Sequence, residues 1–414
     1  MTTADFTYQG SIFLAKWDEH HLEVQIDRIH EKSSTFEVSG EMEVRSTRDG
    51  AVGRLITPSR INLSSPQTRG RYAKLLAQRV PDPNIDWEGI VEKSCTSCME
   101  LFRAGEPVKE VNAIPKREMV KYRVKPLILE GQPNILFGLG GISKSYVAQL
   151  SCVLVDMYEP NSVFEAEPGR ALYLDYETDE GDFKDRIDRI HKGLGIEMES
   201  TIRYRFCAQP IANDITAIQR IVLANKIDLV IIDSGAFACG GAPEDANEVV
   251  RYFSALRSLK CSTLTICHQA KNLNGEAEKT PFGSAFWVNA ARNVWMMKKD
   301  QEPGQNEILV GLYNTKVNAA KLERPFGLSI RHDSDKTVFK TGNLMESPDL
   351  AKATSLSMQV TNILMAGAAD VPTLSGRIGK DENTIRAILS RHKDWFFKLP
   401  DGRWALQARN GAQQ

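Results

Sequence analysis

The sequence predicts an α/β protein. A mostly parallel sheet flanked by helices follows a β-rich, two-helix domain and precedes a small domain of three helices and a hairpin. Three observations predict it. From about residue 120 to 342, apolar runs of strand length alternate with segments of helical spacing, as in a parallel sheet with crossover helices. Residues 132–150 join an apolar run to a glycine-rich turn, then Lys144-Ser145, then a helical pattern. Residues 11 to about 63 alternate apolar and polar at period two, as strands with one buried face do.

In chain order, residues 1–118 read as an N-terminal domain. Strand periodicity runs through Leu22-Glu23-Val24-Gln25-Ile26 and from Phe36 to Val44, with turns at Lys32-Ser33-Ser34 and Asp49-Gly50. Helical spacing follows over 68–79 and 87–103, punctuated by Ser65-Pro66 and Pro81-Asp82-Pro83. Arg69, Arg71, Lys74 and Arg79 make either a basic face or an ordinary solvated one. Cys95 and Cys98 form a lone C-x-x-C inside the second helix, without the second pair that a zinc ribbon would bring.

The next domain, 119–342, has candidate strands at 134–137, 170–175, 204–207, 229–233, 262–267, 293–297 and 307–313. The first leads into a phosphate-binding loop, Gly138-x-x-x-x-Ser143-Lys144-Ser145. Glycines let the backbone wrap closely, so that its N–H groups meet phosphate oxygens, and the following helix adds the positive end of its dipole. Gly138, Gly140, Gly141, Ile142, Ser143, Lys144, Ser145 and Tyr146 are therefore the candidate nucleotide-binding residues. Lys144 can reach the β- and γ-phosphates, and the Ser145 hydroxyl can bind Mg²⁺. Ser143 stands where a glycine is usual; it fits with a negative φ at the start of a helix and is strained otherwise.

The strand 229–233 ends in Asp233, and ligands of parallel sheets sit beyond the carboxyl ends of the strands. Asp233 is thus expected beside the phosphate loop as a second Mg²⁺ residue, or else as a cap for the next helix. The following residue is Ser234 rather than Glu, so a base next to this Asp is not expected. The expected base is Glu177, just past the strand 170–175, provided that strand neighbours the first; Asp175 and Glu180 are its competitors.

Residues 343–356 are polar and carry Pro348, so they read as a linker. In 357–414, three short helical patterns precede a hairpin turning at Asp401-Gly402, which together read as a winged helix. Asn383, Thr384, Arg386 and Ser390 of its third helix would meet DNA; a protein-docking winged helix is the alternative.

The bulk numbers exclude little beyond this. In 414 residues, 42% hydrophobic and 25% charged, no apolar run is long enough to span a membrane, and the start does not resemble a signal peptide. A net charge of −1 leaves any nucleic-acid surface local. Seven cysteines, several in apolar strand-like runs, suit reduced cytoplasmic thiols.

The phosphate loop, Glu177, Asp233 and Leu264-Thr-Ile-Cys-His268-Gln-Ala-Lys271 resemble the RecA-like ATPase core, and most closely the hexameric replicative helicases of the RepA type and related ATPases of phages and mobile elements. The segments 282–295 and 313–318 share that resemblance, which covers roughly 120 to 335. It implies ATP and Mg²⁺ as ligands, a homo-hexameric ring and single-stranded DNA as partner. His268 would sense the γ-phosphate, while Arg292 and Lys316 would act on the ATP of the neighbouring subunit. The loops 239–243 and 271–280 would line the DNA channel, with Lys271 and Lys279 on phosphates. An ATP-gated DNA-binding regulator or recombination mediator without unwinding activity is the alternative, and a slow scaffold a third.

Overall fold

The computed structural model describes residues 4–48, 53–116, 119–157, 163–271, 277–318 and 320–407, with backbone only for 271 and 277–279. The expected turn at Asp49-Gly50 lies outside them.

The N-terminal strands β1 (Asp5–Gln9), β2 (Ile12–Trp17), β3 (Leu22–Lys32), β4 (Glu37–Ser46) and β5 (Arg54–Asn62) pair in sequence order as one antiparallel sheet. Helices α1 (Pro66–Arg79) and α2 (Trp87–Ala104) pack on it through Leu76, Trp87, Ile90 and Val91. The first begins two residues before its apolar spacing does, because Ser65 accepts from the Thr68 N–H and Pro66 fits the first turn. Cys95 and Cys98 are buried in this core, and burial pushes the Cys95 thiol up to about 12, the opposite of a reactive cysteine.

The central domain continues with β6 (Tyr122–Lys125), β7 (Ile128–Leu129), β8 (Pro133–Gly138), α3 (Lys144–Met157), β9 (Glu165–Ala166), β10 (Ala171–Asp175), α4 (Glu180–Leu194), β11 (Arg203–Phe206) and α5 (Ile211–Asn225). Then come β12 (Leu229–Asp233), α6 (Gly235–Cys239), α7 (Ala246–Ser258), β13 (Ser262–Lys271), β14 (Ala277–Pro281), α8 (Phe286–Ala290), β15 (Asn293–Asp300), β16 (Glu307–Val317), β17 (Phe326–His332) and β18 (Thr337–Gly342). The main sheet runs β11-β10-β12-β13-β8-β15-β16-β17-β18, with β14 hydrogen-bonded to β13. The first six strands are parallel and β16 to β18 extend the sheet antiparallel. Helices α3 and α4 cover one face and α5 to α8 the other, so the parallel strands are apolar on both sides. The buried Asn134 amide is fully used, bridging the Leu129 N–H (2.8 Å) and the carbonyls of Gln132 (2.7 Å) and Thr263 (3.0 Å).

This order corrects one expectation. The strand ending at Asp175 does not neighbour the phosphate-loop strand, because β12 and β13 lie between them. The two antiparallel strands β17 and β18 were also absent from the sequence reading.

Polar contacts of α5 join the N-terminal sheet to the central domain. Arg220 of α5 donates twice to Asp27, both at 2.6 Å, and Ser11 donates to Gln219 at 2.5 Å. Past the sheet, the expected linker carries the short helix α9 (Pro348–Lys352), whose Leu350 carbonyl accepts from the Tyr313 hydroxyl at 2.7 Å. The chain closes with α10 (Leu356–Met365), α11 (Val371–Ile378), α12 (Glu382–Arg391) and the hairpin β19 (Phe396–Lys398) and β20 (Trp404–Leu406), packed around Val360, Leu374, Ile385 and Phe396.

Candidate nucleotide site

The site is built at the carboxyl ends of β8, β10, β12 and β13. The loop between β8 and α3 comes first. Gly138 must be glycine, since a Cβ there would meet Ile142 Cδ1 at 2.4 Å and the Met297 carbonyl oxygen at 2.5 Å. Gly141 takes φ +67 and Ser143 φ +68. The negative φ expected of Ser143 is thus overturned: the loop's turn needs the left-handed region there, where a Cβ is crowded by the following carbonyl. Lys144 opens α3 and is buried, with its Nζ donating to the carbonyls of Gly138 (3.1 Å) and Leu139 (2.7 Å). Burial lowers its pKa, while Asp233, Cys267 and Glu177 pull it back up.

Asp233 ends β12 almost fully buried, and Tyr173 of β10 donates to its Oδ2 at 2.6 Å. Burial raises its pKa, opposed by hydrogen bonds from the Ser145 and Tyr173 hydroxyls. A buried carboxylate beside the first serine of α3, with one oxygen taken by a tyrosine, is a hard-oxygen pair that fits Mg²⁺. Ser145 and Asp233 would hold the ion.

Glu177 arrives by a different route from the one expected. The Asp175 carboxylate accepts from the N–H groups of Glu177 (2.9 Å) and Thr178 (3.0 Å), forming a tight turn. The Tyr176 N–H donates to the Asp233 carbonyl at 2.7 Å, leading the chain across the end of β12. The Glu177 side chain then accepts from the Ser234 hydroxyl and lies 3.7 Å from His268 Nε2. His268 does most to hold the Glu177 carboxyl below its ordinary value; Ser234 and Lys144 add to this and burial opposes it. Asp175, one competitor for the role of base, is spent on this turn, and Glu180 lies in the first turn of α4.

The lining of one cleft of about 260 Å³ includes Gly141, Ile142, Ser143, Lys144, Ser145, Tyr146, Glu177, Asp233 and His268. Six of the eight candidate loop residues therefore face it; Gly138, packed against Ile142 and Met297, and the exposed Gly140 do not. His268 reaches the cleft because β13 lies between β8 and β12, pairing His268 with Gly138. Arg186 of α4 also lines the cleft, its guanidinium 5.5 Å from the centroid of the Tyr146 ring. Neither Arg186 nor the role of Ser234 was read from the sequence. Ser234 could have been suspected from its place next to Asp233; Arg186 carries no local signal.

The remaining candidates lie elsewhere. Arg292 and Lys316 sit at the opposite end of the sheet: the Arg292 N–H donates to the Pro133 carbonyl at 2.9 Å, where β8 begins. The length of β8, five residue steps, separates them from the phosphate loop of their own chain by roughly 15 Å. Lys316 Nζ donates to the carbonyls of Val288 (2.7 Å), Asn289 (3.0 Å) and Ala291 (2.9 Å), capping α8. Arg386 is exposed and pairs with Glu382 at 2.6 Å. The side chains of Lys271 and Lys279 lie outside the described residues.

With this geometry established, the chain can be set beside known proteins. Residues 101–274 match the family model described as an AAA domain, a stretch that holds the phosphate loop, Glu177, Asp233 and His268. A solved structure of a KaiC-like protein from the hyperthermophilic archaeon Pyrococcus horikoshii OT3 is similar at 13% identity and a TM-score of 0.37, covering 52% of this chain and 93% of that one. No curated protein matches the chain. Among the described residues no helix is long and apolar enough to cross a membrane.

Proposed function

We propose that this chain is a Mg²⁺-dependent ATP hydrolase that acts on single-stranded DNA as a ring, with ATP held at the seam between copies. The observation that carries the hydrolase reading is the meeting of Lys144, Ser145, Glu177, Asp233 and His268 in one cleft, with Glu177 ionised and anchored. The loop amides, Lys144 and the start of α3 bind the phosphates. When bound at Ser145 and Asp233, Mg²⁺ supplies charge neutralisation for the phosphate oxygens. Glu177 takes a proton from the attacking water. His268, between the base and the phosphate loop, is set to register the γ-phosphate.

A site at the seam between copies would be finished by a neighbour. Arg292 and Lys316, remote from their own loop, are that neighbour's contribution. Lys316 would have to release its carbonyls to do so. In the same reading Lys271 and Lys279 contact DNA phosphates, and the C-terminal helices and hairpin act as a winged helix that places Arg386 on DNA.

Phosphate release with and without single-stranded DNA tests the hydrolase reading. Turnover should require Mg²⁺ and Lys144, and Glu177→Gln should lower it about 100-fold or more while ATP still binds. Undiminished turnover in Glu177→Gln removes the base assignment. Particle images with Mg²⁺ and a non-hydrolysable ATP analogue test the ring. Unwinding of a forked duplex separates a helicase from a regulator that only binds.

A further inference from the structure

We infer that Ser234 is the positioning residue of the catalytic base: its hydroxyl fixes the Glu177 carboxylate through one oxygen and leaves the other to the attacking water. The inference deepens the hydrolase reading and rests on it.

Ser234 occupies the N-cap position of α6, where a serine ordinarily turns its oxygen onto the N–H groups of the first turn. It makes no such cap bond. Its hydroxyl donates to Glu177 Oε1 instead. The serine is 1% exposed, so water does not compete for that proton. A hydroxyl has one proton to give, and here it is spent on a residue 57 positions away in sequence.

The neighbours make this bond decisive for geometry. The Asp175 turn fixes the backbone of Glu177, but a glutamate keeps three side-chain torsions beyond its backbone. His268 Nε2 stands at 3.7 Å from the same Oε1, so of the two groups on that oxygen Ser234 is the nearer. Ser234 therefore holds the carboxylate where two strands meet. Among the described residues nothing donates to Glu177 Oε2, and Glu177 lines the cleft. In the reaction, the water oxygen bonds to the γ-phosphorus as one water proton passes to Oε2. The bond from that phosphorus to its bridging oxygen breaks, and the electron pair leaves with ADP.

The test is steady-state phosphate release together with the affinity for a fluorescent ATP analogue, for Ser234→Ala, Ser234→Thr, Glu177→Gln and the Ala/Gln double variant. Ser234→Ala should lower kcat about 10-fold or more, because a misplaced base loses rate steeply. KM and analogue affinity should stay within about twofold, since the phosphate loop is untouched. Ser234→Thr, which restores a hydroxyl, should recover most of kcat. In the Glu177→Gln background the alanine should have little further effect, since both act on one step. A kcat for Ser234→Ala close to that of the unaltered chain, a parallel loss of analogue binding, or full additivity with Glu177→Gln overturns the inference while the hydrolase reading stands. Absence of turnover in the unaltered chain overturns both.

Discussion

Ser143 offers the sharpest test of the loop geometry. Its φ of +68 puts a residue with a Cβ in the left-handed region, next to Gly141 at +67. For an L-residue that conformation costs about 1–2 kcal/mol. Its hydroxyl makes no hydrogen bond among the described residues, so Ser143→Gly sacrifices nothing there. Glycine relieves the strain but adds freedom to the unfolded chain, an offset of about 0.5–1 kcal/mol. The net expectation is a gain between about 0 and 1.5 kcal/mol for the central domain. At roughly 2–4 °C per kcal/mol for a domain of this size, its transition should rise by up to about 6 °C. Calorimetry of the full chain reads this, with the central domain identified as the transition that ATP shifts. Ser143→Ala is the control: it keeps the Cβ and should gain nothing. A glycine variant less stable by more than about 1 kcal/mol, or an alanine variant as stabilised as the glycine one, would refute the assignment of a strained loop.

Three further outcomes are expected. Because His268 holds the Glu177 carboxyl below its ordinary value, the base stays ionised into the acid range and turnover falls only as pH drops through that lowered value; His268→Ala should move this acid limb of the kcat profile to higher pH, and a limb that stays put contradicts the contact. Asp27→Ala strips a 1%-exposed carboxylate from Arg220 and should destabilise the docking of the N-terminal sheet by about 1.5–3 kcal/mol, seen as faster proteolysis between the two domains; no change would mean that the contact is incidental. Arg292→Ala and Lys144→Ala chains, each inactive alone, should regain part of their turnover when mixed if sites lie between copies, since one supplies an intact loop and the other an intact arginine; mixtures as inactive as their components speak against the seam.

How much of this was legible in the sequence follows from range. The phosphate loop announced itself because all its parts, strand, glycines, Lys144-Ser145 and helix, lie within twenty residues and act through their own backbone. Asp233 was legible as a carboxylate ending an apolar run, which in a parallel sheet means the ligand edge. Of the N-terminal elements, β4 and the two helices followed from their hydrophobic periods to within two residues and β3 in its first half, whereas β1 was not read as a strand and β2 and β5 were given no bounds. Periodicity failed for β17 and β18: β17 alternates only over Leu328 to Arg331, and β18, the edge strand, has its alternation broken by adjacent Val338 and Phe339 and by Lys340.

By itself, then, the sequence determined the strongly periodic strands and helices and which short stretch grips phosphate, because those follow from spacing along a few turns of chain. Strand order was decided only by the tertiary structure. Which apolar strands lie side by side depends on how whole faces of the sheet bury against helices, and no local pattern encodes that. The order β10-β12-β13-β8 separates the Glu177 strand from the phosphate loop and yet returns Glu177 to the cleft, through a turn pinned by Asp175 and a hydroxyl from Ser234. The left-handed backbone at Ser143 was settled the same way, by a loop that must fold back far enough for Lys144 to reach the carbonyls of Gly138 and Leu139.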